Sequence, residues 1–479
     1  MKVAHKFQKR ALKFTMSHTN VALLLTPGLG KTSISYAGLK ILKDAGLLQG
    51  ALVVAPRRPA VSVWPQEHEK WADFEDLDVA LLHGPKKDLL AQEKHDVYIV
   101  TFDGLRWLEN SGHLKNMLKK KWLCTLIIDE LSKVKHHKSG RHTTLTRWHD
   151  RFKRRWGLTG SIASNGLLYL YGQAYILDMG DALGQNFVFY RSQYFTPVDP
   201  DADFPKWAPI PEAKPLIYAA MKNLAIRIDA KDHLDMPKLI QNKITVELDP
   251  KARKVYDAMQ KEMFALLDKM KIVTATTAAA ASMKCQQIAS GAIYDDLVDP
   301  VTGVPRVGKR VWNKVHEFKE EAFEDLIEEL QGQQVWAAYW FGHSLERLQK
   351  LTKRVFGEVM PHIGAGVSDK KALAYEKAWN AGDIPLLLGQ PNSVGHGLNF
   401  QGSSAFNVAW FDLTWDFELW DQFIRRILRQ GNKSAHIVNH VLVVKDSVEE
   451  AQLAAIGSKR RGQDEIHDAL NIYRRAHRA

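Results

Sequence analysis

A short glycine-containing segment, residues 26–32, has the composition of a loop that binds phosphate groups. It runs Thr-Pro-Gly-Leu-Gly-Lys-Thr, after an apolar run and before residues with helical spacing. Glycines let backbone N–H groups approach phosphate oxygens, and the first turn of a helix adds a positive dipole end. Lys31 would add a charge and Thr32 a hydroxyl for Mg²⁺. Leu25 replaces the first glycine of the longer pattern, so the match is to a relaxed form, and an ordinary glycine turn is the weaker alternative.

A second segment, residues 126–130, is an apolar run that ends in two acids, Leu-Ile-Ile-Asp-Glu. In this Walker B pattern Asp129 would hold Mg²⁺, directly or through water, and Glu130 would polarise the attacking water. Strands often end in acids, so the pattern is weak alone. It gains weight because a phosphate loop precedes it in the chain.

The third segment places Gln422, Arg426 and Arg429 at spacings of four and three in a helix predicted over residues 416–428. Such spacings put the three side chains on one helix face. An arginine face is usually solvated or ion-paired. Facing a phosphate site it would instead supply a pair of arginine fingers, and the spacing alone leaves both interpretations open.

The elements that must position these residues alternate along the chain. Apolar runs predict strands in the first half at residues 21–25, 51–55, 97–101, 124–128 and 156–159. Further runs predict strands in the second half at residues 335–341, 384–388, 405–411 and 437–444. Helical patterns lie between them, which is the βα rhythm of a parallel sheet covered by helices. The predicted fold is therefore α/β, with two parallel-sheet lobes in tandem, residues 1–240 and 241–479, and a helical insertion around residues 250–312.

Composition limits the class of protein. A chain of 479 residues with 45% hydrophobic and 25% charged residues is folded and has more than one core. The net charge of +12 favours a polyanionic partner, most often nucleic acid. Two cysteines exclude a disulfide framework and fit a reducing compartment. No apolar stretch is long enough to span a membrane, and the basic residues 1–16 lack the apolar core of a secretory signal, with a mitochondrial presequence a weak alternative.

In chain order, these segments resemble the motifs of superfamily 2 helicases, and within them the Swi/Snf-type double-stranded DNA translocases. The resemblance spans about residues 5–455 and is to the compact forms found in bacteriophages and bacteria. It is carried by Gln8, Trp64, Trp71, Asn165 and residues 27–32, 53–56, 99–101, 129–130, 158–161, 287–291, 393–400 and 422–431. The chain departs from the family at Ser132, where a histidine is usual, and at Ile162, where proline is frequent.

The resemblance implies two RecA-like lobes with ATP, Mg²⁺ and DNA at the cleft between them. Gln8 would read the adenine edge, and Arg426 and Arg429 would act with Glu130 in catalysis when the cleft closes. The implied ATP-binding residues are Gln8, Pro27, Gly28, Leu29, Gly30, Lys31 and Thr32, with Thr32 and Asp129 holding the metal. The implied coupling residues are Thr159, Gly397 and Gln422, and the implied DNA contacts are Arg57, Thr101, Lys133 and Lys135.

Two features of the chain leave alternatives open. Residues 133–155 hold nine Lys or Arg residues and one acid, Asp150, and are either a phosphate-tracking surface or a solvated charged face. The many tryptophans of the second half are expected in the core rather than against bases.

We expect a DNA-dependent ATPase that translocates on double-stranded DNA in the cytoplasm of a bacterial or phage-infected cell. A strand-separating or fork-remodelling helicase of the same superfamily is one alternative. The other is an ATP-gated DNA-binding adaptor with little turnover.

Overall fold

The computed structural model describes residues 5–457, apart from residue 27 and residues 161–166, 199–206, 229–232, 234–235, 270–274, 296–310 and 395–397. The side chains of residues 264–281 also lie outside the description. The chain divides into two compact units, unit 1 (Met1–Asp235) and unit 2 (Met236–Ala479).

Unit 1 is built on a seven-stranded sheet in which every neighbouring pair is parallel, in the order β3-β4-β2-β5-β6-β1-β9. Its strands, which include a separate antiparallel pair β7–β8, are β1 (Asn20–Leu25), β2 (Ala51–Ala55), β3 (Val79–Leu81), β4 (Val97–Thr101), β5 (Thr125–Asp129), β6 (Arg154–Thr159), β7 (Phe195–Pro197), β8 (Trp207–Pro209) and β9 (Ala225–Ile228). Its helices are α1 (Lys6–Ser17), α2 (Lys31–Asp44), α3 (Trp64–Lys70), α4 (Lys87–Leu90), α5 (Phe102–Asn110), α6 (His113–Lys119), α7 (Gly140–Thr146), α8 (Leu170–Asp178), α9 (Phe187–Tyr194) and α10 (Ala213–Ala220).

Unit 2 holds a six-stranded sheet, again parallel throughout, in the order β10-β17-β16-β13-β15-β14. Its strands, with a small antiparallel pair β11–β12, are β10 (Lys238–Val246), β11 (Ala292–Tyr294), β12 (Trp312–Lys314), β13 (Val335–Ala338), β14 (His362–Ile363), β15 (Leu386–Gly389), β16 (Asn407–Trp410) and β17 (His436–Val444). Its helices are α11 (Pro250–Lys269), α12 (Ala275–Ala289), α13 (Phe318–Glu329), α14 (Gly342–Phe356), α15 (Asp369–Ala381), α16 (Pro391–Val394), α17 (Phe417–Ile424) and α18 (Val448–Gly457).

The central strands explain why the sequence pattern was informative. Every residue of β2 and β4 is buried, and so are the first four residues of β5. Continuous apolar runs of this kind belong to parallel strands that are covered by helices on both faces. The fold-class prediction of two tandem parallel-sheet α/β lobes is confirmed.

The sequence missed or misplaced several elements. Strand β10 was not predicted because it is an edge strand whose first six residues are exposed, so it carries little apolar pattern. The helix predicted over residues 416–428 is wrong at its end, because α17 stops at Ile424. Beyond that point the backbone tightens into turns, with Arg426 N–H bonded to Phe423 O and Ile427 N–H to Ile424 O. Arg426 and Arg429 therefore do not share a helix face with Gln422.

Two smaller expectations can be compared with the structure. Trp336, Trp410 and Trp420 are buried, so core packing is confirmed for these three tryptophans. Across the parts of the chain that the structure describes, no helix combines the length and the apolar character needed to cross a membrane.

Candidate nucleotide site

The carboxyl ends of β1, β5 and β6 bring the predicted catalytic residues of unit 1 to one edge of its sheet. Strand β6 lies between β1 and β5, so Thr159 at its end is flanked by the glycine loop on one side and by Asp129 on the other. Loops at the carboxyl edge of a parallel sheet are the usual place for a ligand in α/β folds.

The glycine loop has the backbone shape that its sequence requires. Gly28 and Gly30 have φ angles of 92° and 78°, in the left-handed region that favours glycine. Gly30 is also the residue that precedes α2, and a Cβ there would lie 2.6 Å from Nε2 of Gln8. Pro27, the first predicted loop residue, lies outside the described residues.

Gln8 is held against this loop by both ends of its amide. Its Nε2 donates to the carbonyl oxygen of Leu29 at 3.3 Å, and its Oε1 accepts from the backbone N–H of His5 at 3.0 Å. The structure therefore brings Gln8 and the loop together across 21 residues of chain.

Lys31 is the first residue of α2 and stays close to the sheet edge. Its Nζ donates to the carbonyl oxygen of Leu25, the last residue of β1, at 2.8 Å. Its charge also contributes to lowering the pKa of Asp129. Thr32 follows it in the first turn of the same helix and is partly exposed. A lysine, a hydroxyl and a helix N-terminus are thus gathered where a nucleotide phosphate would bind.

Asp129 is held by Trp64, for which the sequence predicted no role at this site. The indole N–H of Trp64 donates to its Oδ2 at 2.9 Å. The pKa of Asp129 is raised to about 6, mainly by burial and also by the charge of Glu130, whereas the Trp64 hydrogen bond and the charge of Lys31 act to lower it. A largely buried carboxylate of this kind, next to a second acid, fits a divalent cation such as Mg²⁺.

Glu130 has an unusual backbone and two hydroxyl partners. Its φ of 61° lies in the left-handed region, where a non-glycine residue is strained, and such strain is concentrated at functional sites. Its Oε1 accepts from Ser132 Oγ at 2.8 Å and from Thr159 Oγ1 at 3.1 Å. Ser132, the departure from the family pattern, therefore takes part in fixing this carboxylate.

Helix α3 supports the site from behind. Trp64 is its first residue, and Glu67, one turn later, accepts hydrogen bonds from Ser33 of α2 and from Trp71 Nε1. The sequence marked Trp64 and Trp71 only as likenesses to a family. Helical spacing places both tryptophans near Glu67 and could have indicated contacts with it. No pattern in the sequence connects Trp64 with Asp129, which lies 65 residues away.

The predicted arginine fingers lie in unit 2 and are buried there. Arg426 Nη1 donates to Leu398 O at 2.8 Å, and Arg429 Nη1 donates to Asn399 Oδ1 at 2.6 Å. Burial lowers the pKa of Arg429 to about 10. Burial also raises the pKa of nearby Glu376 to about 7, against the lowering effect of an N–H donated by Asn399 and of the two arginine charges.

The structure describes two of the three predicted coupling residues, Thr159 and Gln422. Thr159 contacts Glu130 as described above. Gln422 lies on α17, where its Nε2 donates to Glu418 Oε1 at 3.1 Å. Gly397 lies outside the described residues.

The residues predicted to contact DNA lie at or just after the carboxyl ends of strands in the unit 1 sheet. Arg57 and Lys133 are exposed, and Lys135 is partly exposed. Thr101 is only 6% exposed, and its hydroxyl accepts from Gly104 N–H at 2.9 Å, which caps α5. Its contact with DNA remains a prediction, but its hydroxyl has a structural role that the sequence did not suggest.

The basic segment, residues 133–155, is partly structural. Arg141 pairs with Asp103 at 3.2 Å and Arg147 with Glu109 at 2.7 Å. Arg155 is buried and donates to the carbonyl oxygens of His149, Phe152 and Leu177. Because these arginines have structural partners, the candidates for contact with DNA phosphates are exposed lysines such as Lys133, Lys138 and Lys153.

A known protein-family model matches more than half of the chain. Residues 7–291 match the model of the SNF2-related domain. The chain is also similar to a protein of Acyrthosiphon pisum secondary endosymbiont phage 1, described as putative protein p41. The two are 34% identical over 458 residues, which are 92% of this chain and 93% of the phage protein.

Two solved structures from Sulfolobus solfataricus are similar at lower identity. The SWI2/SNF2 ATPase core in complex with dsDNA is 19% identical, with 98% of this chain and 94% of that chain covered and a TM-score of 0.42. The SWI2/SNF2 ATPase core domain is also 19% identical, with 96% and 89% covered and a TM-score of 0.40.

Proposed function

Because the chain belongs to the SNF2-related family, and is therefore an ATP-hydrolysing enzyme, we propose that it is a DNA-dependent ATPase that translocates on double-stranded DNA. The observation that carries the proposal is the meeting of Lys31, Asp129 and Glu130 at one edge of the unit 1 sheet. A family match without these three residues in place would fit a DNA-binding adaptor equally well.

The residues of this edge have distinct roles in the proposed reaction. Backbone N–H groups of residues 28–32 and the Lys31 amine would hold the ATP phosphates, and Gln8 would contact the adenine. Thr32 and Asp129 would hold Mg²⁺, which when bound neutralises charge on the phosphates. Glu130 would take the proton of the attacking water, and the hydroxyls of Ser132 and Thr159 orient its carboxylate.

Arg426 and Arg429 would supply positive charge to the transition state. Their side-chain hydrogen bonds to Leu398 and Asn399 involve neutral acceptors, so these bonds do not neutralise the guanidinium charges. An arginine of this kind contributes most when charge develops on the transferred phosphoryl group. Gln422 and Thr159 would couple this step to DNA, together with Gly397.

Duplex DNA is the proposed partner, and the cytoplasm of a bacterial or phage-infected cell the proposed location. The net charge of +12 favours a polyanion. Exposed Arg57 and Lys133 lie at the same edge of the sheet as the nucleotide residues, so DNA bound there would lie close to the site of hydrolysis.

The test is steady-state ATP hydrolysis without DNA, with single-stranded DNA and with duplex DNA. We expect the strongest stimulation with intact duplex, and displacement of a third strand from a triplex without separation of the duplex. Separation of a forked duplex would favour the helicase alternative. Absence of stimulation by any DNA, in a protein that still binds ATP, would favour the adaptor.

A further inference from the structure

Helix α1 carries four exposed cations on one face, Lys6, Lys9, Arg10 and Lys13, which we call the basic stripe. Their spacings of three, four and seven residues from Lys6 place them on one side of an α-helix. The opposite side of α1 carries Phe7, Ala11 and Thr15, which are buried against unit 1. The orientation of the stripe is therefore fixed by the core.

The fold does not explain why these four cations are present. Lys6 and Arg10, like Lys9 and Lys13, are like charges one helical turn apart, an arrangement that destabilises a helix. Lys6 also stands at the positive end of the helix dipole. The sequence of α1, Lys-Phe-Gln-Lys-Arg-Ala-Leu-Lys-Phe-Thr-Met-Ser, contains no acid to offset them.

Several surface cations of unit 1 pair with acids, whereas no acid among the described residues pairs with the stripe. Lys40 pairs with Asp44, Lys43 with Asp96 and Arg147 with Glu109. Within the described part of the chain, none of the four stripe residues makes an ion pair. A concentrated positive charge that no described residue neutralises points to an external anion.

We propose that the basic stripe binds the phosphate backbone of duplex DNA, in addition to the contacts proposed for Arg57 and Lys133. The proposal rests on the proposed DNA-dependent function. The stripe covers about 10 Å of helix, and duplex DNA presents on the order of six charges over that length. Such contacts are independent of base sequence, as a motor that travels along DNA requires.

An acidic membrane is the other polyanionic surface, and α1 lacks what it needs. A helix that lies on a membrane inserts an exposed apolar face between lipids. In α1 the apolar residues Phe7 and Ala11 are buried in unit 1 and are not available for insertion. Charge without an exposed apolar face is suited to phosphate groups in water.

The test compares two variants that each remove two positive charges. Lys9→Gln/Lys13→Gln alters the stripe, and Lys115→Gln/Lys119→Gln alters two exposed lysines with the same spacing on α6. Nucleotide-free binding to a labelled duplex is measured by fluorescence anisotropy over a range of salt concentrations. We expect the stripe variant to lose about 1.8 from the slope of log Kd against log salt and to bind on the order of tenfold more weakly at 0.1 M salt. The α6 variant should keep the wild-type slope.

Two further measurements establish that the variants are folded. ATP hydrolysis without DNA should be unchanged in both, since neither pair belongs to the nucleotide site. The melting temperature of the stripe variant should not fall, because a like-charge pair has been removed. Lys6→Gln/Arg10→Gln repeats the test with the other two cations.

Three results would overturn the proposal. The first is that both stripe variants keep the wild-type salt slope although the wild-type protein binds duplex DNA and is stimulated by it. That result would reject the stripe and leave the proposed function intact. The second is an equal loss in the stripe and α6 variants, which indicates a general effect of charge. The third is unchanged DNA binding with lost binding to phosphatidylserine–phosphatidylcholine vesicles. A wild-type protein that binds no DNA would instead contradict both the stripe and the proposed function.

Discussion

The indole N–H of Trp64 and the carboxylate of Asp129 are joined by a hydrogen bond of 2.9 Å between residues on α3 and β5. The indole is held in turn by the core, since its ring packs against Tyr36, whose hydroxyl donates to the Trp64 carbonyl oxygen at 3.1 Å. Asp129 therefore has an orientation imposed by buried aromatic residues rather than by solvent. A carboxylate that must hold a metal benefits from such support.

Trp64→Phe should lower activity at low Mg²⁺ concentrations, because more Mg²⁺ is then needed to fill the site. The variant keeps an aromatic ring but removes the donor to Asp129, so the pKa of Asp129 should rise and its hold on the metal should weaken. By analogy with other supporting residues of metal sites, the Mg²⁺ concentration for half-maximal ATPase activity should increase about 10–100-fold. The activity at saturating Mg²⁺ should change less.

Trp71→Phe is the matched control, because Trp71 donates to Glu67 and not to Asp129. Titrations of both variants with Mg²⁺ separate a metal effect from a general loss of packing. An equal shift in the two would assign Trp64 to the core alone.

Lys31→Ala should abolish turnover, because it removes the charge at the start of α2 that would contact the phosphates. Lys40→Ala is a control on the same helix, since Lys40 is paired with Asp44 on the outer surface. Both are compared by steady-state ATP hydrolysis with saturating duplex DNA. Undiminished turnover in Lys31→Ala would remove the phosphate-loop assignment.

Glu130→Gln should keep ATP binding and lose hydrolysis by orders of magnitude. The amide oxygen of glutamine can still accept from Ser132 and Thr159, so the local shape is preserved, but the amide cannot take a proton from water. Nucleotide affinity and single-turnover hydrolysis measured on one preparation give the answer. Lost affinity in a folded variant would instead show that Glu130 serves binding.

Apolar pattern and motif spacing predicted the elements on which the site depends. The predicted strands over residues 51–55 and 97–101 coincide with β2 and β4, because buried parallel strands are continuous apolar runs. The glycine loop could be located because positive φ angles restrict the choice of residue. Local pattern of this kind is determined by the residues themselves.

Contacts that depend on three-dimensional packing could not be predicted from the sequence. The Trp64–Asp129 and Thr159–Glu130 hydrogen bonds join residues 65 and 29 positions apart and depend on how the elements pack. The Ser132–Glu130 bond is local but depends on the left-handed backbone of Glu130. The end of α17 at Ile424 was also missed, since residues 425–429 keep an apolar and charged pattern compatible with a longer helix. There the buried guanidinium groups bond to residues 398–399, a contact that helical spacing cannot reveal.

Arg429→Ala should lower kcat on the order of a hundredfold or more if Arg429 stabilises the transition state, with little change in ATP affinity. Arg429→Lys should restore little activity, because lysine lacks the planar fork of donors. Stability should also fall by about 1–3 kcal/mol, since Arg429 is buried and bonded to Asn399.

Arg425→Ala is the control for Arg429, because Arg425 is more exposed and pairs with Asp421 at 2.6 Å. Measuring kcat, KM and melting temperature together distinguishes the two roles of Arg429. A lowered melting temperature with near-normal kcat in the folded protein would leave Arg429 with a structural role only.

Glu376→Gln should stabilise the protein at pH 8 and lose this advantage as the pH falls. Burial raises the pKa of Glu376 to about 7, so the folded state binds the proton more tightly than the unfolded chain, whose carboxyl has a pKa near 4.5. The stabilising effect of the protonated carboxyl is therefore complete below about pH 4.5 and is lost as the pH rises through 7. The charges of Arg426, Arg429 and Lys377 oppose the shift without cancelling it.

At pH 8 the glutamine variant avoids burying a carboxylate whose Oε2 has no hydrogen-bond partner among the described residues. We expect a gain on the order of 1–3 kcal/mol, or a rise of a few degrees in melting temperature for a unit of this size. Thermal unfolding at pH 5.5, 7 and 8 is compared with Glu321→Gln, which alters an exposed glutamate of the same unit. A difference from wild type that stays constant across this range, or is largest at pH 5.5, would contradict the inferred burial of charge beside the two arginines.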